Sequence, residues 1–145
     1  MKNLSFFFVL LFILGSCGSG SRQTQEEQLQ GEKWDAVMAN HDIVMPMMGD
    51  TRKVGKQLKA FRDKQSEGAT DLLTKANQLI ADLEKADESM MDWMHDFKKL
   101  GELQGTMSHE EILQYLDKED QRMKKVKELF DTSIEQGQTF IKNNQ

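Results

Sequence analysis

Residues 70 to 99 read TDLLTKANQLIADLEKADESMMDWMHDFKK. Leu73, Ala76, Ile80, Leu83, Met90, Met94 and Phe97 fall on one side of a 3.6-residue repeat, and Leu72, Leu79, Ala86 and Trp93 widen that stripe. The spacing predicts a helix from Thr70 or Asp71 to about Lys99, ended by Gly101 and Gly105. An amphipathic helix of that length needs partners for its apolar side, so the rest of the chain must supply them.

Upstream, Trp34, Val37 or Met38, His41, Val44 or Met45, Met48, Gly55, Leu58 and Phe61 recur at three-to-four-residue steps, predicting a helix from about Leu29 to about Arg62. Pro46, the only proline, interrupts it. Its ring crowds the carbonyl of Asp42 and supplies no donor to it, so a kink or short break is expected at residues 42 to 46. Gln65-Ser66-Glu67-Gly68-Ala69 reads as a loop. Downstream, Ser108 and Glu111 have capping-box spacing. They start a third helix that carries Ile112, Leu116, Met123, Val126, Phe130, Ile134 and Ile141 inward and frays after Lys142. Three helices of about thirty residues joined by short loops predict an all-α fold, an antiparallel three-helix up-down-up bundle over residues 28–145. A coiled-coil dimer is the rival architecture, and the short glycine-containing loops favour intramolecular neighbours over it.

The first sixteen residues read differently. Lys2 is a positive n-region, Leu4 to Leu14 an apolar stretch too short to anchor, and Leu14-Gly15-Ser16-Cys17 resembles the lipobox of a bacterial lipoprotein signal. That resemblance implies cleavage after Ser16, acylation of Cys17 by chains such as palmitate, and membrane attachment through that lipid. Residues 17–27 are then a lipidated N-terminus and a flexible polar tether. Cys17 is the only cysteine, so the mature chain has no disulfide, no thiolate zinc site and no thiol nucleophile.

With Lys2 removed, 18 basic residues face 24 acidic ones, a net charge of −6 for residues 17–145. No basic cluster suits nucleic acid, and an acidic surface does not adsorb to anionic headgroups, so the acyl chains must hold the protein at the membrane. The address is the cell envelope. The Gly18-Ser19 start lacks the aspartate that retains some lipoproteins at the inner membrane, which favours the outer one.

Six of the ten methionines and two of the three histidines lie in His41-Asp-Ile-Val-Met-Pro-Met-Met48 and Met90-Met-Asp-Trp-Met-His-Asp-Phe97. In a hairpin centred near Glu67, equal heights have residue numbers summing to about 135, so Met45 should meet Met90 and His41 should meet Met94. Met48 would lie one turn away, and Met91 and His95 on an adjacent face. Thioether and imidazole hold Cu(I) without thiolate, so His41, Met45, Met48, Met90, Met91, Met94 and His95 form a candidate metal site for copper. Asp42, Asp92 and Asp96 could orient the imidazoles. A methionine and histidine pair can also ligate a b-type haem in an electron carrier. The plainer reading is packing, since methionine fills cores at helical spacing. No catalytic motif appears: there is no Gly-x-Ser-x-Gly, no His-Glu-x-x-His and no phosphate-cradling glycine loop.

The same two octets resemble signatures of small bacterial envelope lipoproteins of unassigned activity, some labelled as similar to viral A-type inclusion proteins. The resemblance covers about residues 33 to 100. It implies an envelope address and helical, coiled-coil-like sequence, and no activity. The expectation is a non-enzymatic interaction or structural module with no cofactor, with copper binding as the alternative and a haem carrier behind it.

Overall fold

The computed structural model describes residues 19 to 144. The segment expected as a leader and Cys17, the expected acylation position, lie outside the described residues. Five helices follow one another: α1 Ser19–Val44, α2 Met47–Arg62, α3 Thr70–Asp96, α4 Leu100–Thr106 and α5 His109–Asn144. No strand occurs among the described residues, and none of their helices is long and apolar enough to cross a membrane.

The proline break falls where its chemistry places it. Pro46 itself keeps helical dihedrals (φ −62°, ψ −30°), but without its N–H the ladder tightens locally: Met48 N–H bonds to the Met45 carbonyl and Gly49 N–H to that of Pro46. The expected single helix is therefore two. α2 packs on α3 and α5, whereas α1 packs on α5 and leaves α3 at the break.

α3 buries Ala76, Leu79, Ile80, Leu83, Ala86, Met90 and Trp93, the stripe expected of it. It stops at Asp96, three residues early, because Phe97 turns extended (ψ 122°) to put its ring inside. The glycine-marked segment beyond, expected as loop, forms α4. Leu103 buries completely there, and Gly101 and Gly105 face open space. At α5 the capping box closes in both directions: Ser108 N–H donates to Glu111 Oε2 at 2.8 Å, and Glu111 N–H donates to Ser108 Oγ at 3.3 Å. The Ser108 amide, and after it the Ser108 hydroxyl, which donates to Glu111 Oε2 at 2.9 Å, hold the Glu111 carboxyl below its usual range.

One correction concerns the segment read as a flexible tether. Residues 19–27 are helical and continue into the packed part of α1. From residue 20 to 27 the side chains are almost all exposed, and local bonds line the outer faces: Arg22 to Glu26, Gln23 to Glu27 and Thr24 Oγ1 to the Gly20 carbonyl. Composition pointed to coil because this stretch has no apolar stripe. It is helical because the packed helix behind it has already met the nucleation cost, so each added residue needs only to propagate.

The interior has two compartments. Val54, Leu58, Leu79, Ile80, Leu83 and Ile141 close the end near the 63–69 loop, where Gly137 lets α5 approach α2. Val37, Val44, Met48, Ala86, Met90, Trp93, Leu103, Ile112, Leu116, Met123, Val126 and Phe130 fill the other.

Candidate soft-metal site and aromatic cluster

The second compartment holds the chemistry-bearing residues, and its shape follows from the break at Pro46. Because α1 and α3 do not touch by backbone there, large side chains bridge the space between them. His41 of α1 lies over Trp93 of α3, ring centroids 5.6 Å apart, and Trp34 lies 6.2 Å from Phe97. Trp93 stacks on Phe97 at 4.5 Å, and Phe97 on Tyr115 of α5 at 6.2 Å. Tyr115 closes the row by accepting a hydrogen bond from the Lys98 amide at 2.9 Å. Burial pushes the Tyr115 phenol above its ordinary range. The indole N–H groups of Trp34 and Trp93 are buried and have no hydrogen-bond partner. Each such donor costs about 1–3 kcal/mol, which the burial of the surrounding rings must offset.

Around this row the seven expected ligands divide into an interior group and a rim. Met90 is 0% and Met48 7% exposed, both in the core with Trp93. Met94 is half-buried and packs on that core. His41 is half-buried, with Nδ1 2.9 Å from Asp42 Oδ1, which leaves Nε2 as its other ring nitrogen. Met45 and Met91 are exposed, at 39% and 54%. His95 is exposed too, its Nδ1 3.3 Å from Asp96 Oδ1. That contact and the Arg122 guanidinium hold the Asp96 carboxyl below its usual range.

Met45 is exposed where the equal-height rule set it facing the fully buried Met90. Val44 takes the inward position, and the hairpin register is not uniform. Lys59 reaches Glu84, where a sum of about 135 would put Ala76, and Arg62 reaches Asn77 instead of Leu73. Beyond the break His41 stacks on Trp93, one residue from the expected Met94. A single sum fails because α1 and α2 are separate helices with separate registers.

Helical spacing relates the accessible members within each segment. Met45, just past the end of α1, lies four residues from His41, and its amide donates to the His41 carbonyl at 2.9 Å. On α3, Met91 lies four residues from Asp87, whose Oδ1 accepts from Thr51 Oγ1 of α2 at 2.6 Å, so this flank of α3 turns toward the first helices. His41 lies at the notch left by the break at Pro46, over Trp93 of α3, and Met45, Met91 and Met94 are partly exposed thioethers on the segments either side of it. No group of three His, Cys, Asp or Glu side chains among the described residues is arranged to hold a metal, so any ion here would depend on thioethers.

Two buried polar features were not anticipated. Glu119 is 2% exposed in the apolar stripe of α5 and bonds to Arg122 at 3.1 and 3.2 Å; Arg122 also grips Asp96 at 3.2 Å, tying α5 to the end of α3. Gln30 accepts from Gln104 Nε2 at 2.9 Å and meets His109 Nδ1 at 3.1 Å, joining α1, α4 and α5. A glutamate between Leu116 and Met123 with an arginine three residues on was the visible signal for the first.

No protein-family model, curated protein or solved structure matches the chain.

Proposed function

We propose that the protein is a lipid-anchored helical bundle of the cell envelope, a non-enzymatic interaction or structural module held by acylated Cys17 at the outer rather than the inner membrane. The observation that carries this reading is where the apolar surface goes. Most of it lies in the two interior compartments, while the outer faces carry ion pairs such as Lys59–Glu84, Lys124–Asp120 and Lys127–Asp131. What such a domain offers is its outer surface. The likeness to small envelope lipoproteins is taken in the same sense, as one of address and fold.

In this reading α1 with α2, then α3, then α5 alternate in direction, up-down-up. Three sets of rungs support it. Thr51–Asp87 and Arg62–Asn77 run in opposite numerical order, as do Lys98–Tyr115 and Asp96–Arg122, whereas Gln30–His109 and Asn40–Asp120 run in the same order. The anchor is tested by feeding cells a fatty-acid analogue. The wild-type chain takes up label and Cys17→Ser does not; label retained on the serine variant would refute acylation at Cys17.

The second reading is a Cu(I) site, favoured by the imidazole of His41 placed over Trp93 at the break and by the partial exposure of His41, Met94, Met45 and Met91, which an ion must have to enter and leave; soft thioethers suit Cu(I). Competition against a Cu(I) chelator under reducing conditions should give about one ion per chain. Met94→Leu or His41→Leu should weaken binding at least tenfold, or ~1.4 kcal/mol. Leucine nearly conserves methionine's volume, so packing at Met94 stays close to native. Affinity no greater than that of a variant with all four residues replaced rules the site out.

A further inference from the structure

We propose that α1 mounts the bundle on the bilayer as a short stiff stem, so that the end formed by α4 and the first turn of α5 faces the lipid headgroups and the 63–69 loop points away. The proposal rests on acylation of Cys17. Cys17 precedes the first residue of α1 by two positions, and from Ser19 the helix continues without a break to Val44. The body takes hold of it early. Gln30 is bonded to Gln104 and His109, Lys33 is paired with Asp117, and Gln23, Glu26 and Glu27 already border a small recess with Gln104, Met107 and His109. Only residues 19 to 22 stand clear, which at 1.5 Å per residue is about 6 Å.

One turn of lone helix would melt if isolated, but here it extends a nucleated helix and is tied to it by the Arg22–Glu26 and Gln23–Glu27 bonds. The end that would meet the membrane exposes Glu102, Glu110 and Glu111 next to Lys98 and Lys99, so its charge gives it little net attraction to anionic headgroups, and the anchored helix, not adsorption, sets the orientation. Heights follow from the helical rise. The notch at His41 stands about 33 Å above Ser19, and the 63–69 loop about 60 Å above it. A partner reached through the loop end is therefore met well away from the lipid.

The test uses the full acylated chain in vesicles containing a headgroup-labelled acceptor lipid, with a donor dye on Glu102→Cys or on Ser66→Cys; Cys17 is blocked by its acyl chains. Both positions are exposed, and neither side chain has a bonding partner. Energy transfer should be several-fold stronger from position 102 than from 66. Gln25→Pro, which removes one stem hydrogen bond, should bring the two closer together. Equal transfer from both sites in protein that still floats with the vesicles overturns the stem and leaves the anchor standing. Chain that neither floats nor carries acyl groups overturns both.

Discussion

Gly137 is the position where the packing can be put under the most direct strain. It lies buried in α5, and a Cβ built on it would sit 2.5 Å from Val54 Cγ1, 3.5 Å from Leu58 Cδ1 and 3.8 Å from Leu83 Cδ1. Carbon atoms prefer about 3.5–4.0 Å, so α5 or Val54 must move by about 1 Å. Val54 has little room to comply, since a β-branched side chain in a helix is held to one χ1 rotamer and this one is buried. Overpacking of this kind costs about 1–3 kcal/mol, against which alanine gains about 1 kcal/mol of helix propensity over glycine. Gly137→Ala should therefore be destabilising by about 0–2 kcal/mol. Gly31 in α1 has nothing within 4 Å of the same construction, so Gly31→Ala should stabilise by about 0.5–1 kcal/mol. Urea unfolding of both variants in a Cys17→Ser background, followed by circular dichroism, measures the difference. Adding Val54→Ala to Gly137→Ala should recover part of the loss, a coupling that a double-mutant cycle isolates. If both alanines stabilise equally, α5 does not approach α2 at Gly137, and the closed end of the bundle is wrongly described.

Pro46→Ala restores a donor to the carbonyl of Asp42. If the two registers on either side of the break are set by packing alone, it should leave stability unchanged or raise it by up to about 1 kcal/mol; a loss above ~1 kcal/mol would mean that the break itself is required. On the acid side, Asp96 and Glu111 both have carboxyls held below the usual range, Asp96 chiefly by His95 and Arg122 and Glu111 by Ser108. A lowered folded-state pKa gives stability that is present above the unfolded value and lost as pH falls through the folded one. Asp96→Asn and Glu111→Gln should thus each flatten the fall in unfolding midpoint between about pH 5 and pH 2, and an unchanged acid limb in both would remove these groups from the account.

Legibility in the sequence followed how local each cause was. The α3 stripe, the break at Pro46 and the box at Ser108 and Glu111 are short-range effects, and they lie where residue spacing put them. The helical residues 19–27 were missed because what holds them is not their own composition but the helix they extend. α4 was missed because Gly101 and Gly105 outweighed Leu100 and Leu103 in the reading, although neither glycine meets a neighbour that would need one. The candidate site was legible as a set of residues and not as a geometry. Whether Val44 or Met45 faces inward depends on how two helices divide at a proline, and that is decided by long-range packing on α5.

Packing and ligation make different demands on the methionines, and the structure separates them. Where α1 leaves α3, the space between two backbones that do not touch must be filled by long, adaptable side chains, and methionine's three rotatable bonds suit an irregular gap between aromatic rings. That argument accounts for Met48, Met90 and Met123 in the core and for Met38, Met47, Met94 and Met107 against it. It does not reach Met45 and Met91, which are substantially exposed and bury little, nor the imidazole of His41 placed over Trp93 beside them. A requirement for volume would be met at Met90 by leucine and would be indifferent to the rim. A requirement for sulfur would be felt at the rim and at Met94, where an ion can arrive from solvent. The copper titration therefore gains most from the contrast between Met94→Leu and Met90→Leu: the first should cost affinity and little stability, the second stability and little affinity. Equal effects of the two on both quantities would leave packing as the whole explanation of the octets.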